Sequence, residues 1–259
     1  CLLIMCIRRF IMKILFISLG CDKNLADSEE MLCLLTGSGH EIVDSEEEAE
    51  AIVINTCCFI HDAKEESVNT ILEMAEYKKT GKCKALVVTG CMAQRYKEEI
   101  TQEIPEVDAV LGTTSYGDIV KALNEVQAGH VFQEFRDINE LPEDSGRRVL
   151  TTGGHFGYLK IAEGCDKHCT YCIIPSLRGS FRSVPEERLL AQAEYMASQG
   201  VKELILVAQE TTVYGTDLYG RKTLHILLKK LCQIRGIRWI RVLYCYPEEI
   251  YDELIQVMK

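Results

Sequence analysis

From Lys13 to about Asn124, short β-rich apolar runs alternate with longer stretches of mixed polarity. Ile14–Leu19, Ala51–Asn55, Ala85–Thr89 and Ala109–Leu111 read as strands, and Ser28–Leu35, His61–Lys79, Ala93–Ile100 and Tyr116–Leu123 as the helices between them. This alternation predicts βαβ units forming a doubly wound, mostly parallel sheet covered on both faces, an α/β domain over residues 12–124. The Thr36–Gly39 stretch follows a helix and not a strand, so its glycines predict a helix C-cap instead of a phosphate loop. The acidic run Asp44–Glu50 reads as a solvated turn or helix face.

Residues 125–153 lose the alternation, carry Gly129, Pro142 and Gly146 among mixed charges, and read as a linker. Beyond it the pattern resumes. Phe156–Ala162, Glu203–Ala208 and Trp239–Leu243 are predicted strands, each followed by a predicted helix, at Pro185–Gln199, Leu224–Gln233 and Glu248–Met258. Three βα units over residues 154–259 fall short of an eight-unit barrel, which needs about 250 residues. They imply either a small three-stranded unit or the first part of a barrel in a truncated chain.

The first residues are apolar but do not read as structure. Arg8 and Arg9 interrupt any run long enough to span a membrane, and the uncharged run before Cys21, Ile14–Leu19, is too short for a lipoprotein signal. Met12 reads as the natural start and residues 1–11 as a non-native upstream extension, which leaves Cys1 and Cys6 without a role. No membrane partner is predicted.

Composition changes this picture in two respects. Of 259 residues 47% are apolar and 26% charged, which excludes disorder and low complexity, yet there are 13 cysteines in a chain far longer than disulfide-dense secreted scaffolds. An odd number cannot pair completely, so the chain reads as reduced and intracellular, its thiols free to serve as metal ligands, reactive groups or small buried apolar residues. Net charge of −10 does not favour a polyanion such as nucleic acid and favours a basic partner.

The strongest local signal is Cys165-Asp166-Lys167-His168-Cys169-Thr170-Tyr171-Cys172, three thiols spaced C-x3-C-x2-C directly after a predicted strand. Zinc sites use four ligands, commonly in C-x2-C pairs, and the second pair is missing. Three thiolates on one loop can instead hold a 4Fe-4S cluster with one iron open to a substrate. A second set emerges only from the strands. Cys21, Cys57 and Cys91 each stand at the C-terminal end of a predicted parallel strand, just ahead of a helix, where open α/β sheets place their ligand crevice. Helix N-termini aimed there would suit an anionic thiolate-bound cluster. Cys58 beside Cys57 reads as a bystander, and Cys33, Cys83, Cys232 and Cys245 as core or surface thiols.

At this point the residues resemble a known family. Glu163-Gly164-Cys165 through Cys172-Ile173-Ile174-Pro175 is similar to the cluster motif of radical S-adenosylmethionine enzymes, and the upstream trio resembles the N-terminal domain of methylthiotransferases. Within that group Ser18–Leu25, Asn55-Thr56-Cys57, Thr89-Gly90-Cys91 and Ile173–Gly179 look like the branch that modifies an aspartate of a small-subunit ribosomal protein. Relatives acting on transfer RNA usually show Gln-Met-Asn where Asp22-Lys23-Asn24 stands here. Cys58, where glycine is common, and Val184, where arginine is usual, depart from the pattern but touch no implied ligand.

The resemblance implies a cytoplasmic transferase with two 4Fe-4S clusters and S-adenosylmethionine. One cluster would sit on Cys165, Cys169 and Cys172 and, given one electron, cleave S-adenosylmethionine to a radical able to take hydrogen from an aspartate β-carbon. The other, on Cys21, Cys57 and Cys91, would present methylated sulfur to that carbon. Tyr171 is implied beside the adenine, Gln209 and Glu210 are weaker cofactor-contact candidates at a strand end, and His168 is expected in solvent. The implied partners are the ribosomal protein or its assembled subunit and a low-potential electron donor. Complete members continue through further barrel strands to a small β-barrel domain, TRAM, through which any nucleic-acid contact would mainly run. Two other readings stay open: a transfer RNA methylthiotransferase, and a non-catalytic iron-sulfur or zinc module.

Overall fold

The computed structural model describes residues 11–143 and 146–259. All but the last residue of the expected upstream extension, with Cys1 and Cys6, lies outside them. The first half builds β1 (Lys13–Ser18), α1 (Asp22–Gly37), β2 (Glu41–Val43), β3 (Ala51–Thr56), α2 (His61–Thr80), β4 (Ala85–Gly90), α3 (Cys91–Arg95), α4 (Lys97–Glu103), β5 (Ala109–Leu111), α5 (Ile119–Gln127) and β6 (Phe132–Glu134). Its six strands are all parallel, in the order β2-β1-β3-β4-β5-β6.

The central strands β3 and β4 are buried along their whole length, as a parallel sheet covered on both faces requires. Strand alternation sends Ile52, Ile54, Leu86 and Val88 into one core with Ile71 and Met74 of α2, and Val53 and Val87 into the other with Met31 and Leu35 of α1 and Leu123 of α5. Three elements depart from the sequence expectation. The stretch 125–153, read as linker, supplies the end of α5 and the sixth strand, β6. That strand is three residues long, polar at Gln133 and Glu134 and at the sheet edge, so it carries no visible alternation. The same holds for β2, at the opposite edge. The single helix expected over Ala93–Ile100 is two, broken at Tyr96.

The second half holds β7 (Phe156–Lys160), β8 (Ala162–Glu163), α6 (Ile174–Arg178), β9 (Arg182–Ser183), α7 (Glu186–Ser198), β10 (Glu203–Val207), α8 (Thr216–Tyr219), α9 (Leu224–Leu231), β11 (Trp239–Val242) and α10 (Asp252–Met258). Parallel β7, β10 and β11 form a three-stranded sheet in the order β11-β10-β7, packed against α7 and α9 through Leu159, Leu189, Met196, Leu204, Leu206 and Leu227. The predicted strand Phe156–Ala162 changes sheet at Ile161, and β8 pairs antiparallel with β9.

Buried charge joins the halves. Lys23, Asn24, Asp27, Ser28, Glu29 and Glu30 of α1 are all buried. Asp27 pairs with Lys160 of β7 and with Arg178 of α6 (2.9 Å), and Lys160 also pairs with Glu163 (2.5 Å). Glu29 lies 3.8 Å from Arg148 and accepts the backbone N–H and hydroxyl of Thr151 at 2.8 and 3.0 Å. Burial works against the charges of Lys160 and Glu163, but their mutual attraction and those to Asp27 and Arg178 win, holding the lysine pKa above and the glutamate pKa below their ordinary values.

Candidate active site

Register sets the first trio. Ser18 is level with Asn55, and Asn55 with Thr89, so β1, β3 and β4 end together and Cys21, Cys57 and Cys91 follow at one edge of the sheet. A Cβ on Gly20 would stand 2.6 Å from the Cβ of Cys57, so no side chain fits between the first two strand ends. Gly90 has φ of +93°, and a Cβ there would lie within 2.5 Å of the Thr56 carbonyl oxygen and closer still to the Asn55 side chain. The turn that delivers Cys91 therefore needs glycine.

Asn24 ties these ends together. Its amide donates to the carbonyls of Leu19 (3.1 Å) and Thr56 (2.9 Å), and its Oδ1 lies 3.8 Å from the Cys91 Sγ. Ser67 clamps the backbone of Cys57, accepting from its N–H at 3.0 Å and donating to its carbonyl at 2.8 Å. α1 starts directly after Cys21 and α2 shortly after Cys57, so both present N-terminal partial positive charge to this edge.

The second trio comes from the loop between β8 and α6, closed by the Cys165 N–H donating to Gly179 O (3.1 Å) and the Cys172 N–H to Cys169 O (3.0 Å). It faces the first. One cavity of about 970 Å³ is lined by Cys21, Cys57, Cys91, Cys165, Cys169 and Cys172 together. Arg178 crosses the seam into its wall, with Nη2 2.6 Å from Asn24 Oδ1. Burial raises the pKa of the Cys57, Cys91 and Cys165 thiols, and at Cys91 the Arg178 guanidinium opposes that rise.

The two trios offer the thiol donors that iron-sulfur clusters take. Each trio supplies three soft thiols and, among the described residues, no three Cys, His, Asp or Glu side chains stand close enough to share one ion. Two sulfurs on a single tetrahedral zinc lie only about 4 Å apart, given Zn–S bonds of about 2.3 Å. A four-iron cube spreads its ligands, one to each iron.

The other candidates part company. Tyr171 lines the cavity and is 84% exposed, so interior packing is not its role. Gln209 lines the cavity with its buried Oε1 unpartnered. Glu210 is not among the residues that line it. Glu210 is buried, accepting from Thr212, with its other oxygen 3.7 Å from Lys167. Cys58 is buried in the sheet core, its thiol pushed up to about 12 by burial. His168 is exposed.

Sequence reasoning assigned no role to Lys23, Asn24, Arg178, Tyr244 or Tyr246. Lys23, Arg178 and both tyrosines line the cavity, and Asn24 braces it. For the first three the available signal was their place inside the cysteine-flanking motifs. The tyrosines follow β11 and carry no local signal.

Two family models match the chain: uncharacterized protein family UPF0004 over residues 13–112, and the radical SAM superfamily over residues 159–259. A ribosomal protein uS12 methylthiotransferase RimO of Lachnoclostridium phytofermentans is 65% identical over 248 residues, covering 96% of this chain and 56% of that protein. A protein of the same name from Clostridium botulinum is 51% identical, covering 94% and 55%. The chain thus spans about half the length of the curated relatives it matches. Among solved structures, the radical S-adenosylmethionine methyltransferase TsrM of Kitasatospora setae aligns at TM-score 0.59 and 11% identity, over 96% of this chain and 59% of its own. The cobalamin-dependent radical enzyme OxsB aligns at TM-score 0.53 and 15% identity, over 96% and 42%. At such identities these two show the fold alone. Among the described residues no helix is long and apolar enough to cross a membrane.

Proposed function

The chain belongs to the RimO-like radical S-adenosylmethionine methylthiotransferases, and from that premise we propose that it adds a methylthio group to the β-carbon of an aspartate in ribosomal protein uS12. The observation that carries this reading is the convergence of both cysteine trios on one cavity. Cys165, Cys169 and Cys172 would hold one 4Fe-4S cluster, leaving an iron open to S-adenosylmethionine, and Cys21, Cys57 and Cys91 would hold the other. Once bound, the pair supplies reductive cleavage of S-adenosylmethionine and a sulfur donor.

The chain's own residues do the positioning. Tyr171, at the cavity mouth, offers an exposed ring on which an adenine can stack. Gln209 offers an unpartnered amide oxygen that can accept a hydrogen bond from the cofactor. Arg178 places a fixed positive charge beside Cys91 and offsets the anionic character of the first trio. An acidic chain suits a basic ribosomal protein, in the assembled subunit or free, and a low-potential electron donor completes the partner set. Such a substrate places the protein in the cytoplasm.

Anaerobic reconstitution should give about eight irons per chain, four for each cluster, and mass spectrometry of uS12 from cells with and without the gene should show a gene-dependent methylthio adduct on aspartate. Zinc without iron, or an adduct found only on transfer RNA, would overturn the reading.

A further inference from the structure

Three cations line the cavity: Lys23, Lys167 and Arg178. Arg178 is committed to Asp27 (2.9 Å), Asn24 and Glu163. Lys167 is shared among Glu249 (3.3 Å), Glu248 (3.5 Å) and Glu210 (3.7 Å). Lys23 is buried, yet among the described residues its one carboxylate partner is Asp22, at 3.5 Å. That carboxylate is itself divided, since the same oxygen accepts the Lys23 backbone N–H (3.0 Å) and stands 3.5 Å from the Tyr244 hydroxyl. The other face of the ammonium rests on the Tyr244 ring, 4.0 Å from its centroid. Tyr244 arrives from the second half and is the one non-glycine residue with positive φ (57°) among those described. A backbone held in that uncommon region to bring a ring over a lysine marks a built feature.

We infer that the Lys23 ammonium is the subsite for the carboxylate of the substrate side chain to be modified. The inference rests on the aspartyl reading above and adds the residue that selects for it. The reacting β-carbon of an aspartate is bonded directly to its carboxyl carbon, so a cation gripping the carboxylate holds that carbon within the cavity that both trios line. A carboxylate entering a cavity walled by thiolate-bound clusters loses water and meets negative charge, which only an under-neutralised cation offsets. Asp62 and Glu66 of α2, both exposed, line the same cavity and repel a carboxylate from their own part of it.

The protein is expressed over its whole open reading frame, reconstituted anaerobically and kept without reductant, so that binding is read with no turnover. Fluorescein-labelled peptides of uS12 carrying either the target aspartate or asparagine in its place are then titrated by anisotropy. Wild type should prefer the aspartyl peptide by at least about tenfold, the scale of one charge-assisted hydrogen bond. Lys23→Met should bind both peptides alike at wild-type iron content, and Lys23→Arg should restore part of the preference. An unchanged aspartate preference in Lys23→Met overturns the inference. So does a variant that keeps the preference but loses S-adenosylmethionine binding in equilibrium dialysis, which would assign the ammonium to the methionyl carboxylate. A wild type that binds no aspartyl peptide and leaves uS12 unmodified fails the substrate reading itself, and the inference with it.

Discussion

Asp27→Asn tests how the halves are held together. The substitution keeps the shape of the side chain and removes its charge. Asp27 and Glu163 face Lys160 and Arg178, all four at most 9% exposed, so the buried group is neutral as a set and becomes +1 in the variant. Lys160 then keeps its ion pair with Glu163 and the longer-range attraction of buried Glu30, and Arg178 keeps Glu163 at 3.5 Å and the Asn24 amide. Removing one partner from a buried pair costs about 3–5 kcal/mol, because the opposite charge stays buried without compensation. With a urea m-value of about 2.5 kcal/mol/M, a loss of about 4 kcal/mol lowers the unfolding midpoint by about 1.5 M. Far-UV circular dichroism follows the whole chain, while fluorescence of the single tryptophan, Trp239 on β11, follows the second half. Asp27→Asn combined with Lys160→Met makes the set neutral again and should recover at least half of the loss, a non-additivity expected of directly paired residues. A midpoint shift below about 0.4 M, equivalent to about 1 kcal/mol, or a double variant no better than Asp27→Asn, would refute the reasoning.

Further outcomes follow from the same geometry. Because the folded-state pKa of Glu163 is depressed below its ordinary 4.5, its stabilisation is fully present above that pH and is lost as pH falls through the lower folded value. The urea midpoint should therefore drop in acid below about pH 4.5, more steeply in wild type than in Glu163→Gln. Cys57→Ser should retain about four of about eight irons, whereas Cys58→Ser, altered in the sheet core and not at the cavity, should retain them all; equal losses would contradict the placement of Cys57. Tyr171→Ala should change stability by less than about 0.5 kcal/mol, since the ring is exposed, while weakening S-adenosylmethionine binding in equilibrium dialysis. A large stability loss would mean that the ring packs.

Which parts of this were legible in the sequence follows from local physics. The apolar runs of β3 and β4 and the β-branched residues of β1 declared a parallel sheet, and once the strands were placed, their ends put Cys21, Cys57 and Cys91 in one crevice. Where pattern reading stopped, polarity and burial had parted. The predicted helix began at Ser28, although α1 begins at Asp22, because its first turns are Asp22, Lys23, Asn24 and Asp27, which read as solvent-facing. Lys23, Asn24 and Asp27 are buried against partners far along the chain, Lys160 lying 133 residues beyond Asp27. No window of sequence shows such a pairing.

The charged seam also has a history in time. When ribosomes have synthesised β6, every strand of the first sheet exists, but Lys160 and Arg178 do not. At roughly 5–20 residues per second, the 133 residues between Asp27 and Lys160 take about 7–27 s. Through that interval the face of α1 awaiting the second half presents the Asp27 and Glu29 carboxylates to water, where an apolar docking face would invite aggregation. A first half that folds ahead of the rest would keep this charged face toward water until Arg148, Lys160 and Arg178 arrive.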